Sequence, residues 1–269
     1  MKIKPYPFPQ QKIDAWIASI CNDFTGDKKW LKAYLTATYW RTLGDYAAIQ
    51  PIVNPKDSIL EIAGTPPLLG CALQESFPEA TFEICDIDTS AYDAFLQKHA
   101  IAQSSSSDIQ EGILSTKKET YDVVICCELI EHLSGNILKA LDAITRKVSP
   151  QGYLYITTPD LRSYAGLFAI FVKGSGLASK PRESVRQQYE KAIKPPFFFG
   201  HVREFTNKEV IDLVKSFGFE WVRTYEQPLS YRKPFLKLFS NHVQCAIEHL
   251  FPSLSLMKKY LFKKNAQQD

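Results

Sequence analysis

The chain has 269 residues, 45% of them hydrophobic and 13% aromatic, which is ample for a buried core and argues against extended disorder. Its 32 basic and 29 acidic residues leave a formal charge of +3, so neither a nucleic-acid partner nor a membrane surface follows from charge. The six cysteines (Cys21, Cys71, Cys85, Cys126, Cys127, Cys245) show neither Cys-x-x-Cys spacing nor a framework pattern, which excludes a disulfide scaffold and points to reduced thiols in a cytoplasmic protein.

Residues 1–9 carry three prolines and read as an extended leader without the apolar core of a signal peptide. From Gln11 to Tyr46 apolar residues recur at helical spacing, with Ile13, Trp16, Ile17 and Ile20 on one face. A break at Thr25-Gly26-Asp27 separates a second helix bearing Trp30, Leu31, Tyr34 and Leu35, so two or three helices precede the first strand. Their aromatic faces suit core packing or a lid over a ligand pocket. Ser58 to Asp88 then reads as a buried strand (Ile59 to Ile62), a tight loop, a short helix and a second strand (Thr81 to Cys85) that ends on Asp86. A strand feeding a loop at a helix N-terminus is a mononucleotide-binding half. Its amides can hold an anionic group, and an acid about twenty residues on suits a ribose diol. Asp88 reads as an exposed helix cap.

Ala91 to His99 is expected to be a helix, and a short strand near Ile101 to Ser104 leads to Asp108. The block YDVVICCELIEHL, Tyr121 to Leu133, opens on the uninterrupted apolar run of a central parallel strand. Ser134 to Val148 reads as a helix closed by Ser149-Pro150, and Gly152 to Thr158 as a buried strand stopped by Pro159. This alternation predicts an α/β fold with a doubly wound, Rossmann-like sheet and right-handed crossovers. Between Asp160 and Gly200 the period is lost, in an insertion at the carboxyl edge of the sheet. It mixes an apolar helix (Tyr164 to Val172), a charged stretch (Arg182 to Lys191) and a Pro-Pro-Phe block. The apolar run is well short of the roughly 20 residues of a membrane span, so a soluble protein is expected. Thr206-Asn207-Lys208-Glu209 is a capping box opening a helix to Phe217, with Gly218 as its C-cap and a strand from Phe219 to Tyr225. Arg203 and Glu204 are expected to pair with each other, and His99, His242 and His249 to be exposed on helices. The stretch from Pro252 to Lys264 fits either a basic amphipathic helix or a last strand.

Taken together, ILEIAG, FEICDID, the YDVVICCELIEHL block and the GHVREFTNKEV…FGFE tail resemble the class I S-adenosylmethionine-dependent methyltransferases, from Asp57 to Tyr225. The resemblance implies a mostly parallel seven-stranded sheet with one reversed edge strand. It also requires a strand after Tyr225, antiparallel beside Gly152 to Thr158, which favours the strand reading of the C-terminus. The organisation implied is a helical cap over 1–50 and a methyltransferase domain over 51–269, with 160–200 as an acceptor-side insertion. In such proteins Ala63, Gly64 and Thr65 would lie against the methionine part of S-adenosylmethionine, with Glu61 beneath, orienting the loop through its amides. Asp86, followed by Ile87, would take the ribose hydroxyls. Asp108 and Ile109 would bracket the adenine, and Cys126 to Glu128, with Cys127 at the centre, would line the sulfonium pocket. The departure is in the loop. Ala63, Thr65 and Pro67 stand where such motifs carry glycine, and a Cβ there narrows the approach and disfavours φ > 0. Pro66 and Pro67 in turn pre-set helical φ for a first turn.

Glu128-Leu-Ile-Glu131-His132 is similar to a segment that binds a divalent metal in methyltransferases of small-RNA ribose and of ubiquinone precursors. The resemblance implies a site for an ion such as Mg²⁺ on Glu128, Glu131, His132 and His201. Two further readings stand beside it: His132 or His201 as a general base, with Glu128 at the same mouth, or a purely structural strand-end cap. The implied activity is methylation of a hydroxyl, less readily an amine, on a small molecule or saccharide entering between the N-terminal helices and the insertion. A ribose methyltransferase of RNA, a non-catalytic cofactor binder and a nicotinamide-dependent oxidoreductase are the alternatives. The last is weakened because Gly64 is the one glycine of the loop.

Overall fold

The computed structural model describes residues 8–104, 108–174, 176, 186, 200–227 and 239–266. Helices α1 (Gln10–Asp23) and α2 (Lys28–Ile49) come first. They part at the expected break, because Asp27 accepts from the amides of Lys29 and Trp30 and so caps α2. A 3₁₀ turn at Gln50–Ile52 follows in place of a third helix.

The sheet is built from β1 (Ser58–Ile62), β2 (Thr81–Cys85), β3 (Ala102–Ser104), β4 (Tyr121–Cys127), β5 (Val148–Pro159), β6 (Phe219–Gln227) and β7 (Met257–Lys264). Its order is β3-β2-β1-β4-β5-β7-β6. Strands β3 to β5 run parallel, while β7 is antiparallel to both β5 and β6. The reversed strand is therefore inside the sheet, with β6 as the edge. Helix α3 (Leu68–Ser76) joins β1 to β2, and α4 (Asp93–Lys98) precedes β3. Helix α5 (Ile137–Arg146) joins β4 to β5, and α6 (Tyr164–Lys173) follows β5. Helix α7 (Asn207–Lys215) precedes β6, and α8 (Phe239–Leu250) precedes β7.

Side-chain alternation divides the core in two. Ile59, Val123, Ile125 and Tyr155 face α1 to α4, burying Ile13, Ile20, Leu31 and Leu43 in one cluster. Leu60, Val124, Leu154 and Tyr260 face the other way onto Leu141 and Ile144 of α5 and Val210 and Val214 of α7. The N-terminal helices thus share one core with the sheet. No helix among the described residues is long and apolar enough to cross a membrane.

Several expectations need correction. Helix α5 starts at Ile137 rather than Ser134, because the Asn136 side chain caps the amides of Leu138 and Lys139 while Ser134 and Gly135 donate to Gln110. Ser149-Pro150 does not end a helix. It lies at an irregular start of β5, where Tyr121 pairs with Val148 and Gln151 takes a left-handed φ of 63°. The Thr206–Glu209 capping box is present, but α7 ends at Lys215 with Ser216 as C-cap, and Gly218 (φ 82°) makes the left-handed turn into β6. Helix α3 begins at Leu68, so Pro66 and Pro67 belong to the loop before it. His99 is half-buried against Phe95, not exposed. The charged stretch 182–191, apart from residue 186, the block 195–199, the leader 1–7 and the side chain of His242 lie outside the described residues.

Candidate active site

The strand order reverses between β1 and β4, and ligands of open α/β sheets bind in the crevice beyond the carboxyl ends at such a point. The register aligns those ends: Ile62 lies beside Cys85 on one side and Cys126 on the other, and Cys127 beside Thr157. Ala63 continues the ladder by donating to the Cys85 carbonyl at 2.7 Å and then turns with φ 56°, a glycine-like conformation in a residue that is not glycine. At Gly64 a Cβ would stand 2.8 and 2.9 Å from Cγ and Cδ of Glu61, so any side chain here forces Glu61 or the loop to shift. Glu61 is buried beneath the loop, and its Oε2 has no partner among the described residues. Burial, then the nearby Asp45 and Asp86, push its carboxyl well above the usual range.

Asp86 stands at the end of β2, half-buried. Its Oδ2 accepts from Thr65 Oγ1 at 2.6 Å and Thr65 N–H at 3.3 Å, and Oδ1 from Ile87 N–H at 2.7 Å. Burial raises its pKa, and the Thr65 and Ile87 hydrogen bonds partly offset that rise. Asp88 is exposed and accepts from Ser90 N–H, so the two acids separate as expected. Asp108 is half-buried, accepting from Gln110 N–H and opening a 3₁₀ turn, while Ile109 sinks into the α5-side core.

Glu128 follows β4 with φ 52°. Its amide donates to the Thr157 carbonyl at 3.0 Å, its Oε1 accepts from the Thr157 hydroxyl, and its Oε2 accepts from Arg41 Nη1 of α2 at 3.1 Å. Arg41 Nη2 lies 3.3 Å from the Tyr34 hydroxyl. Burial works against the Arg41 charge, but Glu128, Tyr34 and Asp45 together raise its pKa. One turn on, Asp45 accepts from Tyr155 of β5 at 2.9 Å and pairs with the fully buried Lys259 of β7. Cys127 sits half-buried between these groups, its thiol pushed well up by burial and by Asp45 and Glu61.

Glu131 is fully buried in the 3₁₀ turn Ile130–His132. Its Oε2 accepts from the Thr158 hydroxyl at 2.9 Å, and its Oε1 has no hydrogen-bond partner among the described residues. Its carbonyl accepts from the amides of Val202 and Arg203, which brings the segment after residue 200 onto the site. His132 Nδ1 donates to the Gly200 carbonyl at 2.8 Å, and His201 Nδ1 donates to Glu204 Oε1 at 2.9 Å. The rings meet edge to face, 4.9 Å between centroids. With Nδ1 donating, the neutral form of each ring carries its lone pair on Nε2. One ligand atom from each of Glu131, His132 and His201 lies within 4.8 Å of the other two. Burial, then His201, lowers the His132 pKa to about 4, while burial and Glu128 raise that of Glu131 well above the usual range. The 4.0 Å approach of His132 to Glu131 is therefore not an ion pair at neutral pH.

The structure thus brings three of the four acid–histidine residues together and gives Glu128 to Arg41 and Thr157 instead. Arg203 and Glu204 do not pair. They go to different partners: Arg203 bridges to Glu209 at the surface, and the buried Glu204 turns to His201. Arg41, Thr157, Thr158 and Glu204 are site residues that sequence reasoning missed. Hydroxyls at the carboxyl end of β5, the strand beside β4, were the available signal for the two threonines.

A family model described as a methyltransferase domain matches residues 51–224. The chain is 33% identical over 93 residues to the ubiquinone biosynthesis O-methyltransferase of Rickettsia prowazekii, a match covering 35% of each protein. It therefore spans about a third of that relative's length. Among solved structures it is similar to a chain of the complex between the Haloferax volcanii Trm112 methyltransferase activator and a methyltransferase. There the TM-score is 0.61 and the identity 11%, over 97% of this chain and 99% of that one. A S-adenosylmethionine-dependent methyltransferase of Thermotoga maritima superposes with a TM-score of 0.57 at 13% identity, over 88% and 96%. At these identities the structures speak for the fold alone.

Proposed function

The chain belongs to the class I S-adenosylmethionine-dependent methyltransferases, and from that premise we propose that it methylates a hydroxyl of a small molecule or saccharide. The cofactor's demands fit the crevice: Gly64 leaves room above Glu61, the unpartnered Glu61 oxygen can take a donor, and Asp86 is an acceptor suited to a ribose diol. When bound, S-adenosylmethionine supplies an electrophilic methyl group on a sulfonium sulfur. The chain's own task is then to align the acceptor oxygen and remove its proton.

The observation that carries the hydroxyl reading is the pair of imidazoles. Gly200 and Glu204 tie both Nδ1 atoms, so in their neutral forms His132 and His201 offer Nε2 lone pairs beside the end of β4. Burial holds His132 neutral well below neutral pH, which makes it a weak proton acceptor and leaves His201 as the residue to test. The O-methyltransferase name of the Rickettsia relative supports the same reading. We expect His201→Gln to lower kcat by about 10²- to 10⁴-fold while leaving the affinity for S-adenosylhomocysteine within about twofold. A panel of phenol, catechol, saccharide and amine acceptors, read by mass spectrometry, is the test. Methylation of amines alone would sink the proposal.

A second reading is favoured by a specific observation. Glu131, His132 and His201 converge, and an outer group holds each imidazole, as in metal sites. Two imidazoles and one carboxylate suit Mn²⁺ or Zn²⁺ better than Mg²⁺. Loss of turnover in excess chelator, restored by Mn²⁺, would favour the metal; full turnover there would leave His201 as the base.

A further inference from the structure

Asp86 is the residue on which cofactor recognition turns in the reading above, and among the described residues most of its capacity is already used. A carboxylate has about four lone-pair sites. Thr65 fills two on Oδ2, through its hydroxyl at 2.6 Å and its amide at 3.3 Å. The Ile87 amide fills one on Oδ1 at 2.7 Å. One site is left. A ribose diol brings two O–H donors, so one of the resident donors must yield. The two amides are fixed by the backbone, and the Ile87 amide belongs to the residue next to Asp86 itself. The Thr65 hydroxyl turns about a single bond, so it is the donor able to leave. It is also the one that similar loops lack, since Thr65 stands where they carry glycine.

We propose that the Thr65 hydroxyl is a latch on Asp86, closing the loop over the ribose-binding acid in the free protein and displaced by the ribose when the adenosyl cofactor binds. The latch rests on the assignment of Asp86 to the ribose. It gives the half-buried carboxylate a donor of its own: Thr65 stands in for those that the diol brings. It also makes Thr65 a determinant of cofactor affinity, because every binding event first breaks a short hydrogen bond to an acid.

Calorimetric titration with S-adenosylhomocysteine tests this on the full chain, in wild type and in Thr65→Val, Thr65→Ala, Thr65→Ser and Asp86→Ala. Valine keeps the shape of threonine and removes only the hydroxyl, and alanine guards against crowding by the added methyl. Both are expected to bind about tenfold tighter than wild type, the scale of one hydrogen bond to a charged group. Thr65→Ser should stay within about twofold of wild type, since it restores the donor. The free Thr65→Val protein should melt at a lower temperature than wild type, and this loss should vanish in an Asp86→Ala background. Unchanged or weaker binding by the valine and alanine variants, with Asp86→Ala clearly impaired, overturns the latch and leaves the ribose assignment standing. Unimpaired binding by Asp86→Ala overturns both.

Discussion

The most demanding test of the packing concerns Lys259→Met. Lys259 lies in β7 opposite Thr157 and Tyr225, with its side chain 0% exposed. Its ammonium meets the Asp45 carboxylate and lies 3.4 Å from the Arg41 carbonyl, so it pins α2 to the middle of the sheet. Methionine nearly matches the volume of lysine but leaves Asp45 as a buried carboxylate with the Tyr155 hydroxyl beside it. Breaking a buried pair from one side costs about 3–5 kcal/mol, which in a chain of this size lowers Tm by roughly 10 °C. The partner variant Lys259→Met with Asp45→Leu removes both charges and should recover to within about 1 kcal/mol of wild type. Urea unfolding followed by circular dichroism reads both. A loss below about 1 kcal/mol for the single variant, the range of exposed pairs, would refute the argument. A double variant as unstable as the single one would refute it too.

Two further outcomes follow from local geometry. Gly64→Ala places a methyl 2.8 Å from Glu61 Cγ and should cost about 1–3 kcal/mol in thermal melting while weakening S-adenosylhomocysteine binding; a stable variant of unchanged affinity would show that the loop has room. His99 has a buried Nε2 without a partner among the described residues, and burial lowers its pKa, so the unfolded chain takes up the proton first as pH falls. Stability from this group is present above the usual imidazole value and is lost on acidification below it. His99→Phe should therefore stabilise the protein more at about pH 5.5 than at about pH 7.5, and an equal effect at both would remove His99 as the cause.

The central sheet was legible because β1, β4 and β5 carry short, largely apolar β-branched and aromatic runs bounded by turn residues, too short for helices. Strand β7 was harder to read because Lys258 and Lys259 interrupt its alternation. Both are buried, held by Glu226 and backbone carbonyls in one case and by Asp45 in the other. Buried charges hide a strand whenever their partners are distant in sequence. The same holds in the site. Residues at strand ends, such as Asp86 and Cys127, could be located from the strands that carry them. Nothing local to Glu128 announces Arg41, 87 positions earlier. Arg203 and Glu204 misled because adjacent opposite charges suggest a pair, whereas one faces Glu209 at the surface and the other His201 inside.

A crystal structure of the protein with S-adenosylhomocysteine bound tests the site most directly. The ligand is expected in the crevice between β1 and β4, its ribose hydroxyls on Asp86, its amino-acid end over Gly64 and its sulfur toward Cys127 and Glu128. A ligand bound with its ribose away from Asp86, or outside the β1–β4 crevice, would contradict that placement.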